Sequence, residues 1–245
     1  LFGGYNIYLE SYARRRLALV PLIVREKILR PLSESAREFR GKNFLKRFFS
    51  NVEDWYIGNA NIFSPAEVEA LWQGKPYSRM SLAPLYARVA NREDSEKMQY
   101  IDINTWLVGD ILAKADKMTM AHSLELRVPF LDKEVANFAS TIPDGLKYKN
   151  GTTKYLLRKA SEGLVPKTTQ KRKKLGFPVP LAQWLRERAD WQEKLLKHSF
   201  IASRFDMKII KKLIDGHVSG RANNARKLFI FIMLASWYDA FYGST

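Results

Sequence analysis

Between Tyr100 and Ala121 the apolar residues Leu107, Ile111, Ala115 and Met118 recur at steps of four, four and three, the spacing of one helix face. No alternating run is long enough to seed a large sheet, so a mainly α architecture is expected. Other segments agree. Tyr5 to Leu19 reads as a helix that Pro21 interrupts or restarts, and residues 22–50 read as two amphipathic helices split near Gly41. Ser64, Pro65 and Glu67 form a helix start: the hydroxyl caps the first amides, proline fits the first turn, and the glutamate reaches back. That helix is expected to run to about Gln73. Asp132 is placed to cap a short helix through Val135, Phe138 and Ala139 that Pro143 ends. Asn150-Gly151 marks a hairpin turn, followed by a helix from Lys154 to Ser161. Residues 181–243 read as aromatic-rich helices arranged around Gly216 and Gly220. With no internal repeat and no low-complexity linker, one predominantly helical body is the simplest expectation.

Charge narrows the partners without choosing one. The 245 residues carry 41 basic against 25 acidic side chains, a formal charge of +16, which attracts nucleic acid, anionic membrane, or a nucleotide triphosphate and its pyrophosphate. The absence of cysteine excludes disulfides, thiolate nucleophiles and Cys-ligated zinc. Three scattered histidines, His122, His198 and His217, argue against a His-rich metal site. The longest apolar run, residues 228–235, falls well short of the ~20 residues needed to span a bilayer and reads as a buried helix. Nothing in the N-terminal stretch has the order of a signal peptide.

Three segments place polar residues where a plain surface account explains them poorly. Asp110 and Lys114 stand one helical turn apart beside the apolar stripe, as a partly buried ion pair or an ordinary intrahelical one. In the stretch Ser123 to Asp132, Pro129 forces Val128 into an extended conformation. Glu125 and Arg127 then point the same way, with Leu124, Leu126 and Val128 turned to the core. Arg127 could hold a small acid in bidentate fashion or simply neutralise Glu125. Finally, KRKKLGFPVP at 171–180 sets four cations before a glycine and two prolines. It is either a solvated charge run or a phosphate contact, with Gly176 allowing close backbone approach.

The order GDILAKADKMTMAHSLELRVPFLD (109–132), TKYLLRKA (153–160) and RKKLGFPVPLAQWL (172–185), together with the opening LFGGY, resembles the synthetase half of glutamine-hydrolysing asparagine synthetases. The likeness is strongest at 1–5 and 100–185. It implies that residues 1–245 are the helical C-terminal part of an α/β ATP-pyrophosphatase-type domain, with most of the nucleotide-binding sheet missing. The family's Ser-Gly-Gly-x-Asp-Ser phosphate loop, the acidic loop expected before Leu1 and the cysteine-dependent glutaminase half are not in these residues. This portion alone is therefore expected to bind no cofactor and to be inactive.

The reaction that the resemblance implies for the full-length enzyme activates aspartate with ATP and Mg²⁺ as a β-aspartyl-adenylate, releasing pyrophosphate. Ammonia, free or from glutamine, then displaces AMP. By the same resemblance Lys174 is the candidate catalytic cation and ATP contact on the departing pyrophosphate, with Arg172 near it. Lys114 faces the activated acid and Asp110 orients it, while Arg127, Glu125 and Asp132 are walls of the site. No metal ligand is assigned within the chain. The location implied is cytoplasmic, without membrane or nucleic-acid partners, and a homodimer is an allowed assembly. Two rival expectations remain: an amide- or lactam-forming synthetase acting on another acid, and a basic helical nucleic-acid-binding module, for which Arg14, Arg15 and Arg16 add charge.

Overall fold

Ser64 starts its helix as its sequence requires. In the computed structural model, which describes residues 1–35, 39–59, 61–74, 82–172 and 179–243, its hydroxyl accepts from the Glu67 amide at 3.3 Å. The Glu67 carboxylate returns to the Ser64 amide at 2.9 Å. The helix so capped spans Pro65–Leu71. Asp132 likewise accepts from the Glu134 amide at 2.9 Å and starts Lys133–Thr141. At the predicted hairpin, Asn150 and Gly151 have φ of 51° and 72°, the left-handed pair that a two-residue hairpin turn needs, and Lys149 bridges Thr152. Among the described residues the only strand-like pairings are that bridge and one between Trp72 and Phe205, so the mainly helical expectation holds.

The chain divides into two compact units where the sequence showed no linker: Leu1–Ala60 with Met80–Arg172, and Asn61–Arg79 with Lys173–Thr245. Each is built from sequence-distant pieces, so no composition shift marks the division.

In the first unit the core is unusually phenolic. Tyr8, Tyr56, Tyr86 and Tyr148 are buried with Val52, Met98 and Ile101. Each phenol O–H needs a partner once it leaves water. Tyr8 and Tyr56 both donate to the Asp102 carboxylate, the second at 2.6 Å; Tyr86 donates to the Tyr56 carbonyl at 2.6 Å; Gln99 donates to the Tyr148 hydroxyl at 3.2 Å. Asp102 is 5% exposed and also accepts the Asn59 amide at 2.8 Å. Burial, with the Asp102 charge beside it, pushes the Tyr8 phenol far above its usual range. The Tyr56 phenol is raised by burial, by Tyr8 and by the hydrogen bond to Asp102. Both phenols therefore stay protonated donors. Around this core Arg14 ties the Asn6–Leu17 helix to Asp94 at 3.0 Å and to the Ser50 carbonyl at 2.7 Å. Arg47 grips Glu10 through two hydrogen bonds of 2.5 and 2.7 Å.

The longest helix spans residues 94–120, as the Tyr100–Ala121 periodicity suggests, but Ile103–Leu112 is wound as a π-helix. Bonding i to i+5 turns the chain more slowly than the 3.6-residue period assumes. The stripe is accordingly broken: Leu107, Ile111 and Ala115 are half-buried, while Met118 is exposed.

In the second unit Pro65–Leu71 packs with five helices between Leu181 and Tyr242 around Leu185, Trp191, Ile201, Ile210, Leu228 and Phe231. The apolar run at 228–235 is only half-covered, with Leu228, Phe231 and Ala235 buried and Phe229, Ile230 and Met233 facing outward. Gly216 lies inside Met207–Val218 and not between helices, and Asn224 folds back against it and donates to the Leu213 carbonyl at 2.9 Å. Gly220, at φ 74°, ends that segment. His217 is 0% exposed, and among the described residues neither ring nitrogen has a hydrogen-bond partner. An unmatched buried polar ring costs more than an apolar one of similar size. Replacing His217 with leucine is expected to raise stability by about 1 kcal/mol, read from the urea midpoint. A loss of stability would show that the ring has a partner in solution. No described helix is long and apolar enough to cross a membrane.

Candidate functional site

The opening LFGGY segment gathers three of the singled-out stretches. Phe2 meets Phe130 edge-on, with ring centroids 6.0 Å apart, and Tyr5 packs on Trp106 at 5.3 Å. Gly3 has φ 67°, and a side chain there would lie 2.5 Å from the buried Tyr148 ring. A Cβ on Gly4 would lie 2.8 Å from Cε of Lys154. Gly3 is thus required both by close approach and by its backbone angle, whereas at Gly4 the flexible end of Lys154 can shift. The consequence is that segments 1–5, 106–130 and 148–154 converge in the first unit.

On the π-wound part of the long helix, Trp106 donates its indole N–H to Asp110 at 2.9 Å. Lys114 donates to the other carboxylate oxygen at 3.3 Å. The predicted pair therefore forms, but the side chains are 61% exposed for Lys114 and 50% for Asp110, so it is not the partly buried pair that the stripe suggested. Such a pair contributes little to stability. Lys114→Gln is expected to move the folding free energy by less than about 0.5 kcal/mol in urea melts. A larger loss would make Lys114 a structural residue.

Arg127 pairs with Glu125, and both side chains are exposed. Their shared orientation follows from the extended chain, yet Leu124, Leu126 and Val128 are exposed as well, not turned into a core. Alternation decides which side chains share a side; it does not supply a neighbour to cover either side. Among the described residues no hydrogen bond or ion pair joins Glu125 and Arg127 to Asp110 and Lys114. Arg172 is exposed, while Lys174, with Lys173 and Gly176, lies outside the described residues.

Arg158 was not singled out by sequence. Its guanidinium donates to the Thr153 carbonyl at 3.1 Å and to the Gln170 carbonyl at 2.6 Å, tying Tyr155–Ala160 to the helix Lys167–Lys171 that leads into the cation run. Lys147 was also missed. It is buried, and desolvation lowers the pKa of its ammonium, while Asp144 and Glu96 pull it back toward the charged form. No local pattern marks either role, since a basic residue in a helical segment ordinarily reads as surface. Among the described residues no group of three or more acidic or histidine side chains could hold a metal.

A family model described as asparagine synthase matches residues 1–239. The chain is 43% identical over 245 residues to "Asparagine synthetase [glutamine-hydrolyzing] 1" of Bacillus subtilis, covering 98% of this chain and 38% of that protein. It is 31% identical over 180 residues to the bovine "Asparagine synthetase [glutamine-hydrolyzing]", covering 66% of this chain and 30% of that one. The human protein of the same name is 36% identical over 119 residues, covering 47% of this chain and 20% of its own length. The chain thus spans well under half the length of these relatives, and no solved structure matches it. A match over nearly the whole chain, reaching every segment that converges on LFGGY, leaves one conclusion: this chain belongs to the asparagine synthase family.

Proposed function

We propose that this chain forms the helical part of a cytoplasmic, ATP-dependent asparagine synthetase whose synthetase domain is of the α/β ATP-pyrophosphatase type. The observation that carries the reading is the 43% identity over 98% of the chain to a protein named as a glutamine-hydrolysing asparagine synthetase. The convergence of LFGGY with the Asp110 and Arg127 segments supports it.

In the proposed reaction a β-carboxylate oxygen of aspartate attacks the α-phosphorus of ATP. The O–Pα bond forms, the Pα–O–Pβ bond breaks, and pyrophosphate leaves. Ammonia then attacks the acyl carbon, the acyl–oxygen bond breaks, AMP departs with that oxygen, and the nitrogen loses a proton to give the amide. Negative charge builds on the leaving pyrophosphate, where a placed cation lowers the barrier, and Lys174 is the residue we assign, with Arg172 beside it. Lys114, held on one side by Asp110, presents its ammonium to the acid being activated. Asp110 is itself fixed by the Trp106 indole, so it acts as a positioning residue. Arg127 and Glu125 line the substrate side, the guanidinium being suited to a carboxylate. Among the described residues no group of three or more acidic or histidine side chains gathers, and no residue of this chain is assigned to Mg²⁺.

The test is product stoichiometry in the full-length protein with ATP, glutamine and a panel of carboxylic acids. Equal amounts of AMP, pyrophosphate and asparagine from aspartate support the reading. Pyrophosphate release with a different acid and none with aspartate would replace it with an amide- or lactam-forming synthetase of the same family.

A further inference from the structure

A cavity of about 350 Å³ opens in the first unit beside the long helix. Val89 and Ile103 give it an apolar wall, and three cations, Arg88, Arg92 and Lys147, also line it, against one carboxylate, Glu96. The arginines are exposed, whereas Lys147 is 4% exposed. Among the described residues the Lys147 ammonium has neither a hydrogen bond nor an ion pair, although Asp144 and Glu96 act on it from a distance. Asp144 makes no direct contact with it: one of its oxygens accepts from Ser95 and faces Arg15 at 3.6 Å, and the other is buried without a hydrogen-bond partner among the described residues. Lys147 is buried as a residue while its ammonium still reaches the solvent of the cavity, so an anion entering there would gain an interaction that the described protein groups leave unmade.

We propose that this cavity binds a small organic carboxylate, with Lys147 holding the carboxylate and Arg88 and Arg92 at the charged wall. The volume suits a small metabolite. Inorganic phosphate fits less well, since its oxygens would press on Val89 and Ile103 while an organic acid can lay its carbon chain there. The inference rests on the cavity alone and not on the amide-forming reading, so either can fail without the other.

The experiment is calorimetric titration of the full protein carrying this chain with succinate at fixed ionic strength, beside inorganic phosphate and uncharged succinamide. Saturable binding of succinate is expected, weakened about tenfold or more by Lys147→Met, with phosphate weaker than succinate and succinamide not binding. Lys147→Met removes a buried charge and keeps chain length, and thermal melting verifies its fold. If that variant does not fold, Arg92→Gln, at an exposed wall position, is expected to weaken binding about threefold and decides the matter. Four outcomes overturn the proposal: no saturable succinate binding, equal binding of succinamide, phosphate binding as tightly as succinate, or unchanged affinity in the deciding variant.

Discussion

Lys174→Ala in the full-length protein is expected to lower aspartate-dependent pyrophosphate release by about 10²–10³-fold, while glutamine hydrolysis stays measurable. Adenylation transfers negative charge to a leaving group that is already polyanionic, and a fixed cation stabilises the transition state more than the ground state. Among the described residues, Arg158 holds the Gln170 carbonyl at 2.6 Å, and Lys174 itself lies outside them. Lys173→Ala serves as the internal control: a neighbour that the sequence reads as plain charge in the same run should change the rate by less than about twofold. Near wild-type release in Lys174→Ala would sink the assigned role, and equal losses in both variants would mean that the run acts as diffuse charge. Lys114→Gln offers a different split, an activity loss without a stability loss, because its pair with Asp110 is exposed.

The largest stability effect is expected at Asp102. Its carboxylate accepts from two buried phenols and the Asn59 amide, so Asp102→Ala orphans three donors at once. Each buried donor left without an acceptor costs about 1–3 kcal/mol, and three are orphaned together, partly offset by removal of the buried carboxylate. A loss of about 3–5 kcal/mol is therefore expected for the first unit, followed by tyrosine near-ultraviolet circular dichroism in urea. Tyr56→Phe in the Asp102→Ala background should cost much less than in the native protein, since its partner has already gone. If Asp102→Ala costs less than 1 kcal/mol, the phenols find other acceptors and the cluster does not hold the core together.

Local chemistry made several elements legible. The Ser64 box, the Asp132 cap and the Asn150-Gly151 turn depend on residues within three positions of one another, and such geometry is written in consecutive residues. The pairs at 110 and 114 and at 125 and 127 were legible for the same reason, as spacings. Their exposure was not legible, because it depends on what packs beside them and, for the long helix, on a π-wound segment that turns faces away from a 3.6-residue period. Asp102 was hidden more deeply. Its phenolic partners lie 94 and 46 residues away, and an aspartate in a helical pattern reads as solvent-facing until that distant chemistry is assembled. Lys147 was hidden in the same way, beside an ordinary turn.

The second unit's interrupted make-up bears on synthesis. The Pro65–Leu71 helix leaves the ribosome well before its partners: Glu67 pairs with Lys227, 160 residues on, and Leu71 gives its carbonyl to the Asp206 amide. At about 5–20 residues per second, roughly ten to thirty seconds pass before that partner emerges. Through that interval Leu71 and Phe63 have none of their later apolar neighbours, and a seven-residue helix is too short to persist alone. The nascent chain therefore carries an apolar stretch still without its partners, which chaperones can engage, and the first unit has time to fold before the second can close.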